Sequence, residues 1–535
     1  MGCWLAAVVL LVWNLGGVSL RDWDEALVAR VALEFSQGDQ PLPLLPTLWG
    51  EPYLNKPPLL HALIALVIRA WSGLDPAAAA AGPPPEAVVR VVPALLSSLI
   101  VPLLGLVQWR LRPGDRLTLF STMAVAITLL PLMRHGRLAM LDGSLIAAMA
   151  LQWWALLSLA PNAPAAALRR WGLLAGLAGS ALLLLKAPVL IPLLPAVCLV
   201  LAWEQRWPWW RWRDLLQALL LGLMPALLWH GWHLLARGPQ ATLMWTGQGM
   251  ARLTQAMEGH GGGWITPLIQ VLVGGGPWLL LWPFAMVLAW RERQRRSGLW
   301  VLALTLLTAA IVLPLRTQLP WYSHLLWPSF CLAVGPVLAW LVRRDPDLPI
   351  PAPALLARLP QLWLCCGVAV LLLTPYVALP LVPLLSAGAA LLLGGFGLSS
   401  ARLQRRRRGL IALIAGLWFA LLALFAGPSW LWELHEQWPV HPLVERIRAL
   451  PADLAAMPMA IDARSRPSLN WYLQQELHHP HGRPGEVLLL IANQAPSSRR
   501  WSCAPLDQRA ADQALPADVP SLWRCERQPP PAPTP

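Results

Sequence analysis

Apolar stretches of about 17–22 residues recur along the first 427 positions, and each is long enough to cross a hydrocarbon core of about 30 Å. A chain built this way has little choice of architecture. Inside a bilayer every backbone N–H and C=O must be satisfied within the segment, which leaves helices as the spanning element for apolar runs of this length. Composition agrees: 57% of the 535 residues are hydrophobic and only 13% are charged, about half the charged share of a soluble domain. The expected fold class is an α-helical polytopic membrane protein.

The net charge of +14 could suggest a nucleic-acid partner, but its placement argues for topology instead. Take residues 3–20 as a retained first helix leaving the cytoplasm. Stretches near 88–109, 117–133, 143–160, 171–185, 187–203, 214–235, 266–290, 298–315, 321–341, 359–379, 381–399 and 409–427 follow. The loops "RLRPGDR", "PNAPAAALRR", "EQRWPWWRWRD", "RERQRR", "RRDPD" and "RLQRRRR" then all fall on one side. Lys and Arg collect in cytoplasmic loops. The pattern predicts about 13 spans, N-terminus inside and C-terminus outside, with no nucleic-acid partner.

Three outer segments are too long or too polar to be mere turns: 21–87, 236–265 and 428–535. The first contains "DEALVARVALEFSQG" and "PPLLHALIALVIRAW", read as two helices lying on the membrane surface, the second opening with the prolines that suit a helix start. The last divides into a small α/β module at 428–528 and a disordered Pro-rich tail at 529–535, leaving 1–427 as the membrane domain. "PMAIDA" and "EVLLLIAN" read as strands and "PSLNWYLQQELHH" as a helix. Cys503 and Cys525 lie in this module and are candidates for a disulfide if that side is oxidising.

One residue type is conspicuous by its scarcity. The chain has 41 Lys+Arg, yet only Lys56 and Lys186 are lysine. Lys56 sits just before the helix-like 57–71, where an anion would meet an ammonium and helix-end N–H groups together. Asp24 and Glu25 follow the first span at the same membrane depth, and charged residues recur in the other outer loops. A membrane-interface anchor and solvated loop charges are the plainer alternatives for these three, as headgroup contact or snorkelling is for Lys186 and loop structure for His260.

These residues carry a resemblance. "DE…A…E…GD…P…G.PY..KPPL" followed by "R..PALLS" (Arg90 to Ser97) resembles the first loop of the GT-C membrane glycosyltransferases, in particular the dolichyl-phosphate-mannose protein mannosyltransferase-like family and the lipid A aminoarabinose transferases. "RHGRLAMLD" (134–142, with Asp142), "LLLLKAPVL" (with Lys186), "MARLTQAMEGHGGGWITPLIQVLVGGGPW" (250–278, with Arg252 and His260) and "RTQLPWYSHLLWP" (316–328, with Tyr322) resemble further segments of that family, in the right order over residues 20–330. Two positions depart from it. The residue before Lys-Pro-Pro is often glutamate and is Asn55 here, which puts a metal or electrostatic role there in doubt. The family lysine before Leu-Pro-x-Tyr is Gln318, so Arg316 is the candidate to supply that charge.

The resemblance implies an enzyme that moves a sugar from a polyprenyl-phosphate carrier to an acceptor at the outer face of a bacterial inner membrane, with the active site and C-terminal module facing the periplasm or exterior. The sugar is open, and lipid A, another glycolipid, a glycan and a protein all remain open as acceptors. Asp24, Glu25 and Asp142 are the candidate catalytic carboxylates. Lys56, Arg252, Tyr322, Lys186, His260 and Arg316 are the candidates to bind the carrier phosphate, whose charge grows as the glycosidic bond breaks. No cofactor is called for, and a divalent metal stays open. The alternative is a transporter or lipid flippase; those place ionisable residues near the bilayer midplane and often show repeated halves, neither of which this sequence displays.

Overall fold

The computed structural model describes all residues except 39–44, 257–260, 432–437, 463–464, 482–484, 495–500, 507–518 and 529–535, together with the side chains of 189–192 and 248. Each of the thirteen apolar stretches holds a helix. Among the described residues seven helices are long and apolar enough to cross a bilayer alone: Glu86–Leu111, Ala165–Lys186, Trp209–Trp245, Pro320–Arg343, Pro353–Tyr376, Leu381–Leu398 and Leu403–Phe425. Two more candidates are bent pairs, Arg116–Thr128 with Leu130–Gly136 (58°) and Ile265–Gly274 with Trp278–Arg291 (108°). Gly2–Val12, Leu59–Leu74, Leu141–Leu157, Leu193–Gln205 and Arg296–Val312 are shorter apolar helices, so by length and composition 7 to 9 spans are found among the described residues against the 13 expected. The chain is an integral membrane protein.

Small residues set the closest helix contacts, as expected where lipid gives no hydrophobic drive for helices to associate. Ala165–Lys186 and Trp209–Arg237 meet at Gly176 and Gly222, where an added Cβ would collide with the facing backbone. Ser180 Oγ donates to the Gly222 carbonyl at 2.9 Å. This fixes the helix whose last residue is Lys186.

The two helices expected in segment 21–87 form at Leu27–Gln37 and Leu59–Leu74 and pack on each other. The first buries Val28, Val31, Ala32 and Phe35, one stripe at helical spacing. A turn of π-helix, Asp22–Ala26, precedes it. Between the two helices stands a short hairpin, β1 (Thr47–Leu48) and β2 (Glu51–Pro52).

The C-terminal segment contains a four-stranded sheet of β3 (Met459–Ile461), β4 (Val487–Ala492), β5 (Trp501–Pro505) and β6 (Ser521–Arg527), in spatial order β3-β4-β6-β5. β3 and β4 are parallel, as a pair joined through the helix Pro467–Leu473 should be, and the other pairings are antiparallel. The predicted helix over 467–479 stops early, at Gln474, which takes a left-handed conformation (φ 53°). Cys503 and Cys525 lie directly opposite each other on β5 and β6 and are disulfide-bonded.

Candidate active site

The approach to Lys56 is built on the Leu27–Gln37 helix. The hairpin turns through Trp49 and Gly50, both at positive φ (55° and 81°), the requirement of a two-residue turn matched to strand twist. Trp49 is a costly residue in that conformation, and Glu34 holds it there. The Glu34 carboxylate accepts from Trp49 N (2.6 Å), Gly50 N (3.3 Å) and Thr47 Oγ1 (2.6 Å). Arg30 closes the clamp, pairing with Glu34 at 2.9 Å and lying 3.7 Å above the Trp49 ring. The chain leaves this clamp and delivers Lys56 to the start of the next helix.

Lys56 then faces a cavity of about 580 Å³. The cavity also receives Asp142, Lys186, Arg252 and Tyr322, from four further stretches of the chain. Its remaining wall is largely apolar, including Met244, Met250, Leu253, Ile311 and Leu315. Lys186 Nζ donates to Asp142 Oδ1 at 3.0 Å and lies 4.8 Å from the Tyr322 ring centroid. Arg252 Nη1 donates to Tyr322 Oη at 2.9 Å. The Arg252 carbonyl accepts from Arg316 N (2.9 Å) and Thr317 N (3.1 Å), which ties its short helix to the loop before Tyr322.

Asp24 stands beside this cluster, within electrostatic reach of Asp142, Lys56, Lys186 and Glu25. Asp24 and Lys56 are both half-buried. Loss of hydration first, and the Asp142 charge second, push the Asp24 carboxyl up to about 7 against the pull of the two lysines. Loss of hydration likewise pushes the Lys56 ammonium down to about 7, with Lys186 and Arg252 adding to the fall and Asp142 and Asp24 opposing it. An anion entering the cavity would push Lys56 back up. The arrangement can therefore supply a base near neutral pH and a cluster of cations on an apolar-walled cavity.

Asp24 stands beside the cavity without lining it, and two other candidates from the sequence, Glu25 and Arg316, are not among its lining residues. Glu25 points away and is fully buried. Its carboxylate accepts from Arg90 Nε and Nη2 (both 2.7 Å), Ala139 N (2.7 Å) and Arg21 N (3.0 Å). Burial alone would raise this acid, but the Arg90 guanidinium and the backbone donors hold it below the usual carboxylate range. Glu25 is thus placed as the counter-ion that fixes the Asp22–Ala26 turn. Arg316 is exposed and is not among the cavity-lining residues. Gln318, at the position of the family lysine, is buried and its amide donates to the carbonyls of Val312 and Leu315. His260 lies outside the described residues.

The sequence reading missed the partners of the π-turn. Asp22 is buried and accepts from Arg466 Nε, Ser468 Oγ and Ser468 N (2.9 Å), while Tyr472 Oη accepts from Leu20 N (2.9 Å) and donates to Glu86 (2.7 Å). No sequence signal links positions 386 or more residues apart. Arg90 did carry one, in the "R..PALLS" match. Among the described residues no group of three His, Cys, Asp or Glu side chains gathers as a metal site would require.

The helical membrane body, the loops that enclose an apolar-walled cavity lined with cations and the small α/β module docked on those loops together form a fold similar to that of ArnT, the GT-C fold. Residues 51–238 match the family model of dolichyl-phosphate-mannose-protein mannosyltransferase, a stretch that holds Lys56, Asp142 and Lys186. Two crystal structures of ArnT from Cupriavidus metallidurans are similar over 97% of either chain at 17% sequence identity. One was determined bound to undecaprenyl phosphate (TM-score 0.69) and one in the apo state (TM-score 0.68). No curated protein matches the chain by sequence.

Proposed function

We propose that the chain is a glycosyltransferase that takes a sugar from a polyprenyl-phosphate carrier and places it on an acceptor at the outer face of a bacterial inner membrane. The observation that carries this reading is the meeting of Lys56, Lys186, Arg252 and Tyr322 at one apolar-walled cavity. A lipid phosphate needs both halves of that surface: apolar wall for the chain, cations for the headgroup. The undecaprenyl phosphate bound by the similar ArnT structure and the family match over 51–238 support the same carrier class.

In this mechanism the acceptor oxygen attacks the anomeric carbon, the bond from that carbon to the phosphate oxygen breaks, and the carrier leaves as its phosphate monoester. Lys56 and Arg252 meet the charge that develops on the phosphate, and Tyr322 donates a hydrogen bond. Asp24 takes the proton of an acceptor hydroxyl. An acid raised to about 7 suits a base working near neutral pH. Asp142 holds Lys186 in register through their 3.0 Å contact. The acceptor is a lipid, glycan or protein, and the transferred sugar is a hexose or pentose.

The test is transfer of radiolabel from polyprenyl-phosphate-linked sugars by the purified protein in lipid. Label that moves to an acceptor in wild type and not in Lys56→Ala or Asp24→Asn is the expected result; donor carried across a vesicle membrane with its glycosidic bond intact would instead make the chain a flippase. Orientation is tested by alkaline phosphatase fused after residue 430, expected active, and after residue 408, expected inactive.

A further inference from the structure

Behind the cavity wall, the bent helix pair Arg116–Thr128 and Leu130–Gly136 presents the carbonyl of Pro131 to two buried imidazoles. His135 Nδ1 lies 3.2 Å from Pro131 O and His324 Nε2 lies 3.1 Å from it. The rings meet edge to face, 4.5 Å between centroids. They differ in what their other nitrogens face. His135 Nε2 is 3.4 Å from Arg134 Nη2, a donor, so that nitrogen accepts and His135 is the neutral ring protonated at Nδ1. His324 Nδ1 lies 2.6 Å from the Trp321 carbonyl. Both nitrogens of His324 therefore face carbonyl oxygens, which only accept.

A neutral imidazole carries one N–H. Placed here it would turn a nitrogen lone pair on an oxygen lone pair, at a side chain only 1% exposed, and an unmade bond in such a place is costly. The doubly protonated ring satisfies both contacts. Burial opposes this charge most strongly and Arg134 adds to the opposition; the Asp142 carboxylate on the neighbouring helix and the Pro131 and Trp321 carbonyls favour it. Lys186 already pairs with that carboxylate on one side; Arg134 and the neutral His135 are the other titratable groups packed against the ring.

We propose that His324 is held as an imidazolium, giving Asp142 a second cation and fastening the Pro320–Leu326 strap, which carries Tyr322, to the bend at Pro131. His324 is not among the residues lining the cavity, so it is a positioning residue: it acts on Asp142 by its charge and on Tyr322 by anchoring the strap. Its kinetic consequence rests on the glycosyl-transfer reading above; its protonation state does not.

The protonation is read on the full chain in lipid bilayers by solid-state NMR, with histidine labelled with ¹⁵N in the ring and tryptophan with ¹³C at the carbonyl, so that the Trp321 contact selects His324. Two protonated ring nitrogens at pH 7, persisting at pH 8, are expected. A single N–H at pH 7 overturns the proposal whatever the enzyme transfers. The charge is tested with His324→Gln, whose amide nitrogen offers two N–H donors without charge. The acid limb of the turnover profile should then move up by about one pH unit, and His324→Arg should move it back. A folded His324→Gln variant with an unmoved acid limb overturns the electrostatic role. A wild-type chain that transfers no sugar removes the kinetic readout and the function together, and the NMR pattern alone then decides.

Discussion

Asp24 and Glu25 are adjacent, yet removing the charge of each should have opposite consequences. Glu25→Gln keeps the size of the side chain and takes away a carboxylate that accepts four hydrogen bonds, two of them from Arg90. An amide can offer its oxygen to part of this set and must turn its own N–H groups on the remaining donors. Arg90, 1% exposed, would lose its counter-charge. Breaking a buried pair from one side costs about 3–5 kcal/mol. The carbonyls of Leu15, Val18 and Ser19 still accept from Arg90, which places this case near the lower end, about 3 kcal/mol. That is a large fraction of the roughly 5–15 kcal/mol that holds a typical domain together. The sign with pH follows from the depressed acid: the Glu25 contribution is full above its unfolded value and is lost as pH falls through the folded one. Asp24 runs the other way. Raised to about 7, it is a stability cost that grows as pH rises from about 4 and is complete above about 7. Asp24→Asn should therefore melt at the same temperature as wild type at low pH and higher at pH 8, while turnover falls by about 10²–10⁴. Glu25→Gln should melt lower and give less folded protein, with the folded fraction still transferring sugar. Melting and transfer measured on the same preparations decide it. A Glu25→Gln protein as stable as wild type but inactive would refute the assignment and move the chemistry to Glu25.

Three further outcomes are expected. Lys56→Arg should lose most donor binding in a radiolabelled-donor assay, because a planar fork cannot take the place of a compact ammonium at the helix start; near-normal binding would reduce the site to charge alone. Turnover at saturating donor should fall below about pH 7 as Asp24 takes up its proton, and donor affinity should weaken above about pH 7 as Lys56 loses its own in the empty cavity; a profile flat from pH 6 to 8 would contradict both. Cys503 and Cys525 should resist alkylation until reduction, and reduction should loosen the outer sheet by roughly 3 kcal/mol without abolishing transfer, since no cavity-lining residue comes from that sheet.

The membrane body was legible because its signal is local: each apolar run holds a helix. The strands β3 and β4 were legible for the same reason, while β5 and β6 were not. β6 reads Ser521–Arg527, with charge at every few positions, and becomes a strand only because β4 supplies its ladder. Of the cavity, the sequence picked out lining residues such as Lys56, Asp142, Lys186, Arg252 and Tyr322, but not the contacts around them. Asp24 and Glu25 look alike in sequence. What separates them is Arg90, 65 positions on, and Ala139, 114 positions on. Arg316 and Gln318 show the same limit. A charge two residues from a motif position looked able to replace it, yet the turn before Tyr322 sends Arg316 outward and uses Gln318 to hold carbonyls. The link from Asp22 to Arg466 and Ser468 lay beyond any local reading, and it makes the C-terminal module part of the site's support.

The scarcity of lysine has a physical reading. A chain that uses arginine almost everywhere spends both of its lysines, Lys56 and Lys186, on one cavity. Arginine suits the loops: its guanidinium stays charged in any surroundings and can hold several carbonyls at once, as Arg406 does for Val342, Ser400 and Ala401. Those same properties are unhelpful where a phosphate must arrive, gain charge and leave. A guanidinium fixed by its fork reorients poorly, and it cannot give up its proton when the cavity is empty. An ammonium can do both. Burial, with Lys186 and Arg252 nearby, pushes the Lys56 ammonium down to about 7, and on the proposed reading a phosphate reaching it would push it back up and strengthen the contact. Lys186 pairs with Asp142 at 3.0 Å and lies 4.8 Å from the Tyr322 ring centroid. On the proposed reading one lysine is thus tuned by its ligand and the other by the protein, with Arg252, tied to Tyr322, as the charge that stays fixed.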